Sequence, residues 1–208
     1  QRATHKRHIR DPEQHQRLME VIVQDVARLD RLISAITDLS QVEAELAAMP
    51  DETVDLAAMA EAIVEIENAV SQGEWDPKFI AVSGDGPFRV QGVEARLAQV
   101  LRNLMSNARS FSPPGGRVRM VLTRRDNTIT ITCDDDGPGL PPGKEEAIFG
   151  RFYSDRPDNQ PFAGHSGLGL SLCRQIVNAH RGTIWAENRH DPVGQVIGAR
   201  FTIILPAA

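Results

Sequence analysis

Asp135-Asp136-Gly137-Pro138-Gly139, closing a strand-like run, and Gly164-His165-Ser166-Gly167-Leu168-Gly169-Leu170, opening a helical one, decide how this 208-residue chain is read. Asp135 precedes two glycines, so its carboxylate can sit at a pocket floor with little backbone bulk above it. A carboxylate there can accept a hydrogen bond from an adenine amino group. Gly164, Gly167 and Gly169 bring backbone N–H groups to the start of a helix, where free donors and the helix dipole favour phosphate. Upstream, Asn103 and Asn107 lie four apart on a helix-periodic segment, so both amides point at one site. Their carbonyl oxygens suit Mg²⁺, which bridges phosphates. Each piece alone has a plainer reading: a turn carboxylate, a flexible loop, surface asparagines. Together they describe a nucleotide pocket, with ATP and Mg²⁺ as its expected occupants.

Three other nucleotide signatures fail. A Walker A loop needs Gly-x4-Gly-Lys-Ser/Thr, but around Gly143-Lys144 the first glycine position holds Pro138 and Glu145 replaces the hydroxyl residue. A Rossmann fingerprint follows a strand directly, whereas Gly164, Gly167 and Gly169 are spaced differently and follow a loop. No His-Arg-Asp catalytic loop is present.

The bulk properties are those of an ordinary globular chain, with 41% hydrophobic and 25% charged residues. A net charge of -5 argues against a nucleic-acid binder, which usually carries a basic field. The one basic cluster (Arg2, Lys6, Arg7, Arg10, with His5 and His8) is short and reads as a solvated helix end. Cys133 and Cys173 sit far apart in apolar runs, as buried thiols rather than a disulfide or metal site. No apolar run reaches the roughly 18 residues a membrane-spanning helix needs. The chain starts without Met in helix-compatible sequence, and is expected to be a piece of something longer.

Leu18, Ile22, Leu29, Leu32, Ile36 and Leu39 form a seam at helical spacing, predicting a long coiled-coil-like helix from about Pro12 to Ala47. Met49 to Thr53 reads as a linker. Asp55 caps a second helix through Val70, with Leu56, Met59, Ile63 and Ile66 on one face. Phe79–Ser83 and Phe88–Gln91 read as strands, Val93–Phe111 as a helix, and Val118–Thr123 with Thr128–Cys133 as a hairpin. A short helix over Glu145–Phe149 and a loop from Ser154 to Ser166 come next. A helix follows over Leu168–His180, then strands over Thr183–Asn188 and Val196–Leu205, with His190 in the turn between them. Strands and helices without a strict βαβ repeat favour an α+β sandwich over a doubly wound sheet.

These pieces, in this order, resemble the catalytic and ATP-binding domain of bacterial sensor histidine kinases, within the gyrase, Hsp90 and MutL-like ATPase fold. Gln99-Val100-Leu101-Arg102-Asn103-Leu104-Met105-Ser106-Asn107-Ala108 is similar to the N box, and Asp135–Gly139 to the G1 box. Ile148-Phe149-Gly150-Arg151-Phe152-Tyr153 is similar to the F box and Gly167-Leu168-Gly169-Leu170 to the G2 box. The stretch Arg151–Pro157 and Gly164–Gly167 is similar to ChvG-like sensor kinases of alphaproteobacteria. Asp25–Ile33 looks like the second helix of the family's dimerisation hairpin.

The resemblance implies a two-layer α/β sandwich preceded by a long coiled-coil-like helix. Residues 1–50 would be part of the dimerisation and histidine phosphotransfer hairpin, and 51–208 the catalytic ATP-binding domain. Asn107 would hold Mg²⁺ and Asn103 would assist near the phosphates. Asp135 would read adenine in a pocket shaped by Gly137 and Gly139, with Phe111 against the base. Gly167, Leu168 and Gly169 would approach the phosphates under a lid running from about Arg151 to Ser166. The γ-phosphate would pass to a histidine and then to an aspartate of a response regulator receiver domain. The intact protein would be a homodimer, the cytoplasmic portion of an inner-membrane receptor, reaching the membrane only through segments outside this chain.

Two departures stand out. Ser110 occupies the position where many members place Lys or Arg, and Arg109 beside it should project differently. The family's acceptor segment, a His followed by an acid and a downstream Thr/Asn-Pro, is absent: His5, His8 and His15 lack those neighbours. His165 falls in the lid and His180 at a helix end. This fragment is therefore expected not to phosphorylate itself, and no catalytic residue is assigned. The competing readings are a hydrolysing clamp of the gyrase or Hsp90 kind, a serine kinase of the anti-sigma type, and a nucleotide-gated module or phosphotransfer adaptor without kinase activity. Against the first, clamps place a Glu where Asn103 stands, and an amide cannot take a proton from water. The long N-terminal seam and the ChvG-like lid weigh against the second, and intact glycine motifs against the third.

Overall fold

The computed structural model describes Met19, Val26 and residues 52–70, 73, 76–151, 153 and 167–208. Apart from Met19 and Val26, the expected helix over Pro12–Ala47 lies outside the described residues, as do His5, His8, His15 and the segment holding Gly164 and His165.

Among the described residues from Glu52 onward, seven strands and three helices follow one another as β1 (Thr53–Asp55), α1 (Leu56–Val70), β2 (Lys78–Ser83), β3 (Arg89–Gln91), α2 (Glu94–Phe111), β4 (Arg117–Arg125), β5 (Thr128–Asp135), α3 (Gly169–Ala179), β6 (Thr183–His190) and β7 (Val196–Pro206). A single 3₁₀ turn over Ala147–Phe149 stands where a short helix was expected. β2, β4, β5, β7 and β6 form a five-stranded sheet in that order, parallel between β2 and β4 and antiparallel elsewhere. β1 pairs with β3 in a separate two-stranded sheet. The fold is the expected two-layer α+β sandwich.

Local chemistry explains the elements. In α2, Leu97, Val100, Leu101, Leu104, Met105 and Ala108 recur at three- and four-residue steps and are all buried. In β5 the period is two: Ile129, Ile131 and Cys133 face the helices, and Asp135 continues that row. Met120 and Leu122 of β4, and Ile203 and Leu205 of β7, complete the same face against Ile176 and Val177 of α3. Each such side chain contributes about 1.5–3 kcal/mol by leaving water. Asp55 caps α1 as expected, its Oδ1 accepting from the N–H groups of Ala57 (3.1 Å) and Ala58 (3.2 Å).

Three readings are corrected. The last residue of the expected linker, Thr53, opens a strand that runs to Asp55, because a register with Arg89–Gln91 satisfies backbone groups that local composition does not reveal. Ile66 is exposed: α1 buries Leu56, Ala60, Ile63 and Val64, a stripe rotated from the expected one. His190 ends β6 rather than lying in the turn, which runs through Asp191 and Gly194. Both cysteines are free and buried. Among the described residues, no helix is long and apolar enough to cross a membrane.

Candidate functional site

Three consecutive aspartates end β5 and the short loop beyond it, and each meets a different environment. Asp134 faces away from the helices and forms a two-pronged pair with Arg200, 2.7 Å at both contacts. Asp136 accepts from the Arg117 N–H at 3.0 Å and pairs with Arg189 at 3.3 Å. Asp135, 3% exposed, has no arginine on its carboxylate among the described residues. Its Oδ1 accepts from the N–H groups of Gly137 (2.8 Å) and Ala199 (3.1 Å). Among the described residues, Oδ2 has no hydrogen-bond partner. Burial pushes the carboxyl pKa up, and the two N–H groups and then Arg189 oppose that. A buried carboxylate with one oxygen fixed and the other open is an acceptor prepared for a ligand N–H.

The glycines after it are required by close approach. A Cβ on Gly137 would stand 2.8 Å from Asp135 Oδ1 and 2.9 Å from the carbonyl oxygen of Phe111. Gly139 has φ +82°, and a Cβ there would collide with the side chains of Asn188 and Val196. The Asn188 amide clamps the next residue from both sides: Leu140 N–H donates to Oδ1 (2.6 Å) and Nδ2 donates to the Leu140 carbonyl (3.0 Å). Asn188, Ala199 and Asp135 share one row on the inner face of the sheet.

α2 joins the two glycine segments. Its last residue, Phe111, packs its backbone on Gly137 and leaves its ring half exposed. Asn103 donates through Nδ2 to the carbonyl of Gly169, at 3.4 Å, on the first turn of α3. Asn107, one turn further along and half-buried, has no side-chain hydrogen bond among the described residues. Arg109 is directed toward α1 and pairs with Asp76 (3.2 Å) and Glu67 (3.5 Å). Ser110 donates to the carbonyl of Asn107 at 2.8 Å.

Gly167 turns into α3 with φ +69°, and Leu168 is buried as the anchor. The Leu168 carbonyl accepts from Ser171 Oγ and from Leu172 N–H, both at 2.9 Å. The first N–H groups of this 11-residue helix have no intrahelical acceptor, and its dipole places partial positive charge there. Phe149 of the 3₁₀ turn packs edge-on to Phe201 at 6.4 Å, beneath the guanidinium of Arg174, which also pairs with Glu146.

α2 and α3 are further tied along their length. Cys173 Sγ lies 3.8 Å from the carbonyl of Val100, its thiol pKa pushed up to about 12 by burial. At the far end His180 accepts from the Val93 N–H through Nε2 (3.1 Å) and donates from Nδ1 to the Ile176 carbonyl (2.7 Å). That pairing fixes the neutral tautomer, and burial lowers the pKa accordingly.

The structure thus gathers Asp135, Gly137, Gly139, Phe111, Asn103, Gly167, Leu168 and Gly169 along connected elements, with Asn107 on the same helix. Asn188, Arg189 and His180 were missed as supporting residues, since no local spacing marks them. The donor set fits a magnesium nucleotide: an open buried carboxylate oxygen, an uncommitted amide and a helix start. Among the described residues no group of three His, Cys, Asp or Glu side chains could hold a metal ion, so phosphate oxygens would have to complete its shell.

Sensor protein ChvG of Rhizobium meliloti (strain 1021) is 44% identical over 205 residues, covering 95% of this chain and 35% of the relative. The chain spans about a third of the length of the curated relatives it matches. The solved structure of mycobacterial sensor histidine kinase MprB superposes with a TM-score of 0.63 at 30% identity, covering 76% of this chain and 97% of that one. Histidine kinase ThkA, solved in complex with response regulator protein TrrA, shares the fold with a TM-score of 0.68 at 24% identity, covering 98% of this chain and 54% of that one. The family model of histidine kinase-, DNA gyrase B- and HSP90-like ATPases matches residues 92–208, taking in α2, the aspartate row and the start of α3, and the chain belongs to that family.

Proposed function

We propose that this chain is the ATP-binding, phosphoryl-donating part of a two-component sensor histidine kinase. Asp135 accepts the adenine amino group through Oδ2, and Phe111 lies against the base. Asn107 ligates Mg²⁺ through its side-chain oxygen, with Asn103 beside it, and the N–H groups at Gly167, Leu168 and Gly169 receive phosphate. The ion supplies charge neutralisation on the phosphates, while the chain supplies position, which is most of what phosphoryl transfer needs. The γ-phosphoryl group leaves the ADP oxygen for an imidazole nitrogen that is not among these residues, and then passes to a carboxylate of a response regulator. That ThkA, which shares this fold, was solved in complex with response regulator protein TrrA supports a partner of that class. The intact protein is a homodimer anchored outside this chain, with this part on the cytoplasmic side.

The observation that carries the reading is Asp135: of three adjacent carboxylates, two are neutralised by arginine and the middle one is buried with an oxygen left open. Asn103 separates it from a hydrolysing clamp, since an amide bonded to Gly169 cannot serve as general base.

The test is incubation with γ-labelled Mg·ATP, with and without a separate polypeptide carrying a family acceptor helix. ATP should bind with Mg²⁺, this chain should remain unlabelled, and acid-labile, base-stable label should appear on the added helix. Absence of ATP binding overturns the reading. Label on the chain alone would move the acceptor into it. Binding without transfer to any acceptor would leave a nucleotide-gated module.

A further inference from the structure

We propose that Arg189 is a positioning residue for base recognition, reaching from β6 through the gap left by Gly198 in β7 to hold the end of β5 where Asp135 sits. The inference rests on Asp135 as the adenine acceptor and concerns how that acceptor is held.

Arg189 and Gly198 are register partners, next to an irregularity in the β6–β7 ladder at Arg189/His190. Gly198 has φ +147°, and a Cβ on it would collide with the Asp135 carbonyl oxygen and stand 3.2 Å from Arg189 Nη1. Any other residue would close the passage and displace β5. Through it, Nη1 donates to the Asp135 carbonyl at 2.5 Å and to Asp136 Oδ1 at 3.3 Å. Nε stands 3.6 Å from Asp134 Oδ2, so one planar guanidinium engages all three aspartates. Its side chain is 23% exposed, so these contacts are poorly screened.

Arg189 touches the Asp135 carbonyl and not its carboxylate, so it acts through backbone position and through its field. The ionisable groups around Asp135 are Asp134 and Asp136 beside it, Cys133 on its strand face, Arg117 at the start of β4, Arg200 on β7 and Arg189 itself. Arg117 and Arg200 are committed to Asp136 and Asp134. Arg189 opposes the rise that burial imposes on the Asp135 carboxyl, and keeps it ionised to lower pH.

Base choice is the diagnostic readout. Adenine presents an amino donor where guanine presents a carbonyl oxygen, so a well-placed carboxylate accepts the first and repels the second. Calorimetric titration of the whole chain with Mg·ATP and Mg·GTP, repeated across pH, tests the assignment on Arg189→Gln, Arg189→Lys and Asp135→Asn. Arg189→Gln should lower the ATP-to-GTP affinity ratio about tenfold, the scale of one charge-assisted hydrogen bond, and should move the acid limb of ATP binding to higher pH. Arg189→Lys keeps the charge without the fork, so the ratio should fall while the acid limb stays. Equal losses of ATP and GTP with an unmoved limb in Arg189→Gln would overturn the proposal. If that variant does not fold, a parental ratio in Arg189→Lys does the same. Asp135→Asn separates the two layers. A parental base ratio there sinks the reading of Asp135 itself. A collapsed ratio there beside an unchanged Arg189→Gln sinks the role of Arg189 alone.

Discussion

The two ends of the site are built in opposite ways. At the sheet end, Asp134, Asp135, Asp136, Asn188, Arg189, Ala199 and Arg200 are cross-braced, and Asp135 Oδ2 is left without a hydrogen-bond partner among the described residues. At the helix end, Asn103 bonds to the Gly169 carbonyl at 3.4 Å and to the Cys173 thiol, and Asn107 has no side-chain hydrogen bond among the described residues. A base is a rigid, flat ligand whose donors must be met in place. Phosphates and a hydrated ion bring their own coordination, and need groups that can turn toward them. Preorganisation at one end and adaptable amides at the other match those two demands.

The sharpest way to break this contrast is Asp135→Asn. An amide of equal size keeps the packing but replaces a charged acceptor, and loses about 2–3 kcal/mol of a charge-assisted hydrogen bond, near a hundredfold in ATP affinity by calorimetry. Less than a threefold loss would mean that the braced end does not read the base. At the other end, Asn107→Ala should weaken Mg·ATP binding about tenfold while leaving metal-free ATP almost unchanged, because the loss is one oxygen ligand. An equal loss with and without Mg²⁺ would show that Asn107 contacts the nucleotide directly.

The halves also differ in how far they could be read from sequence. Asp135, Gly137, Gly139 and the Gly167–Gly169 turn were legible because close backbone approach admits few residue types, and those types cluster locally. Asn103 and Asn107 were legible because two amides interrupt an apolar helix face. Asn188, Arg189 and His180 were not: their partners lie 48, 54 and 87 residues away, and only the β5–β7–β6 register and the α2–α3 packing bring them together. Strand β1 escaped for a related reason, since three residues show no period and their pairing with β3 is a tertiary fact. Ile66 misled in the other direction, since α1 is apolar on more than one side and the sheet buries Val64 instead.

Asn188→Ala probes the bracing with a smaller step. It removes both bonds to Leu140 and should cost about 1 kcal/mol of stability per bond lost. ATP affinity should fall severalfold through a loosened Gly139 turn, and the Mg²⁺ dependence should be unchanged. A loss of Mg²⁺ dependence instead would mean that the two ends are mechanically coupled, and the contrast between them would fail.

The smallest effect concerns the far end of the α2–α3 seam, where His180 caps the approach to α2. Its imidazole must be neutral to accept the Val93 N–H, and burial lowers its folded-state pKa below the ordinary value of 6.5. The unfolded chain therefore binds the proton more readily, so this contribution is complete above 6.5. It declines as the pH falls from there toward the lowered value, and is flat below both. Denaturant unfolding at stepped pH should show that decline, on the order of 1 kcal/mol for one hydrogen bond and a buried ring. His180→Phe should remove this group's share of the slope while lowering stability at neutral pH, since the ring space is kept and the Val93 N–H loses its partner. Because the seam ties together the helices that carry Asn107 and the Gly167–Gly169 turn, the phosphate end should feel this change first. Mg²⁺ dependence should weaken in His180→Phe before base choice does, and the reverse order would place the seam in service of the braced end.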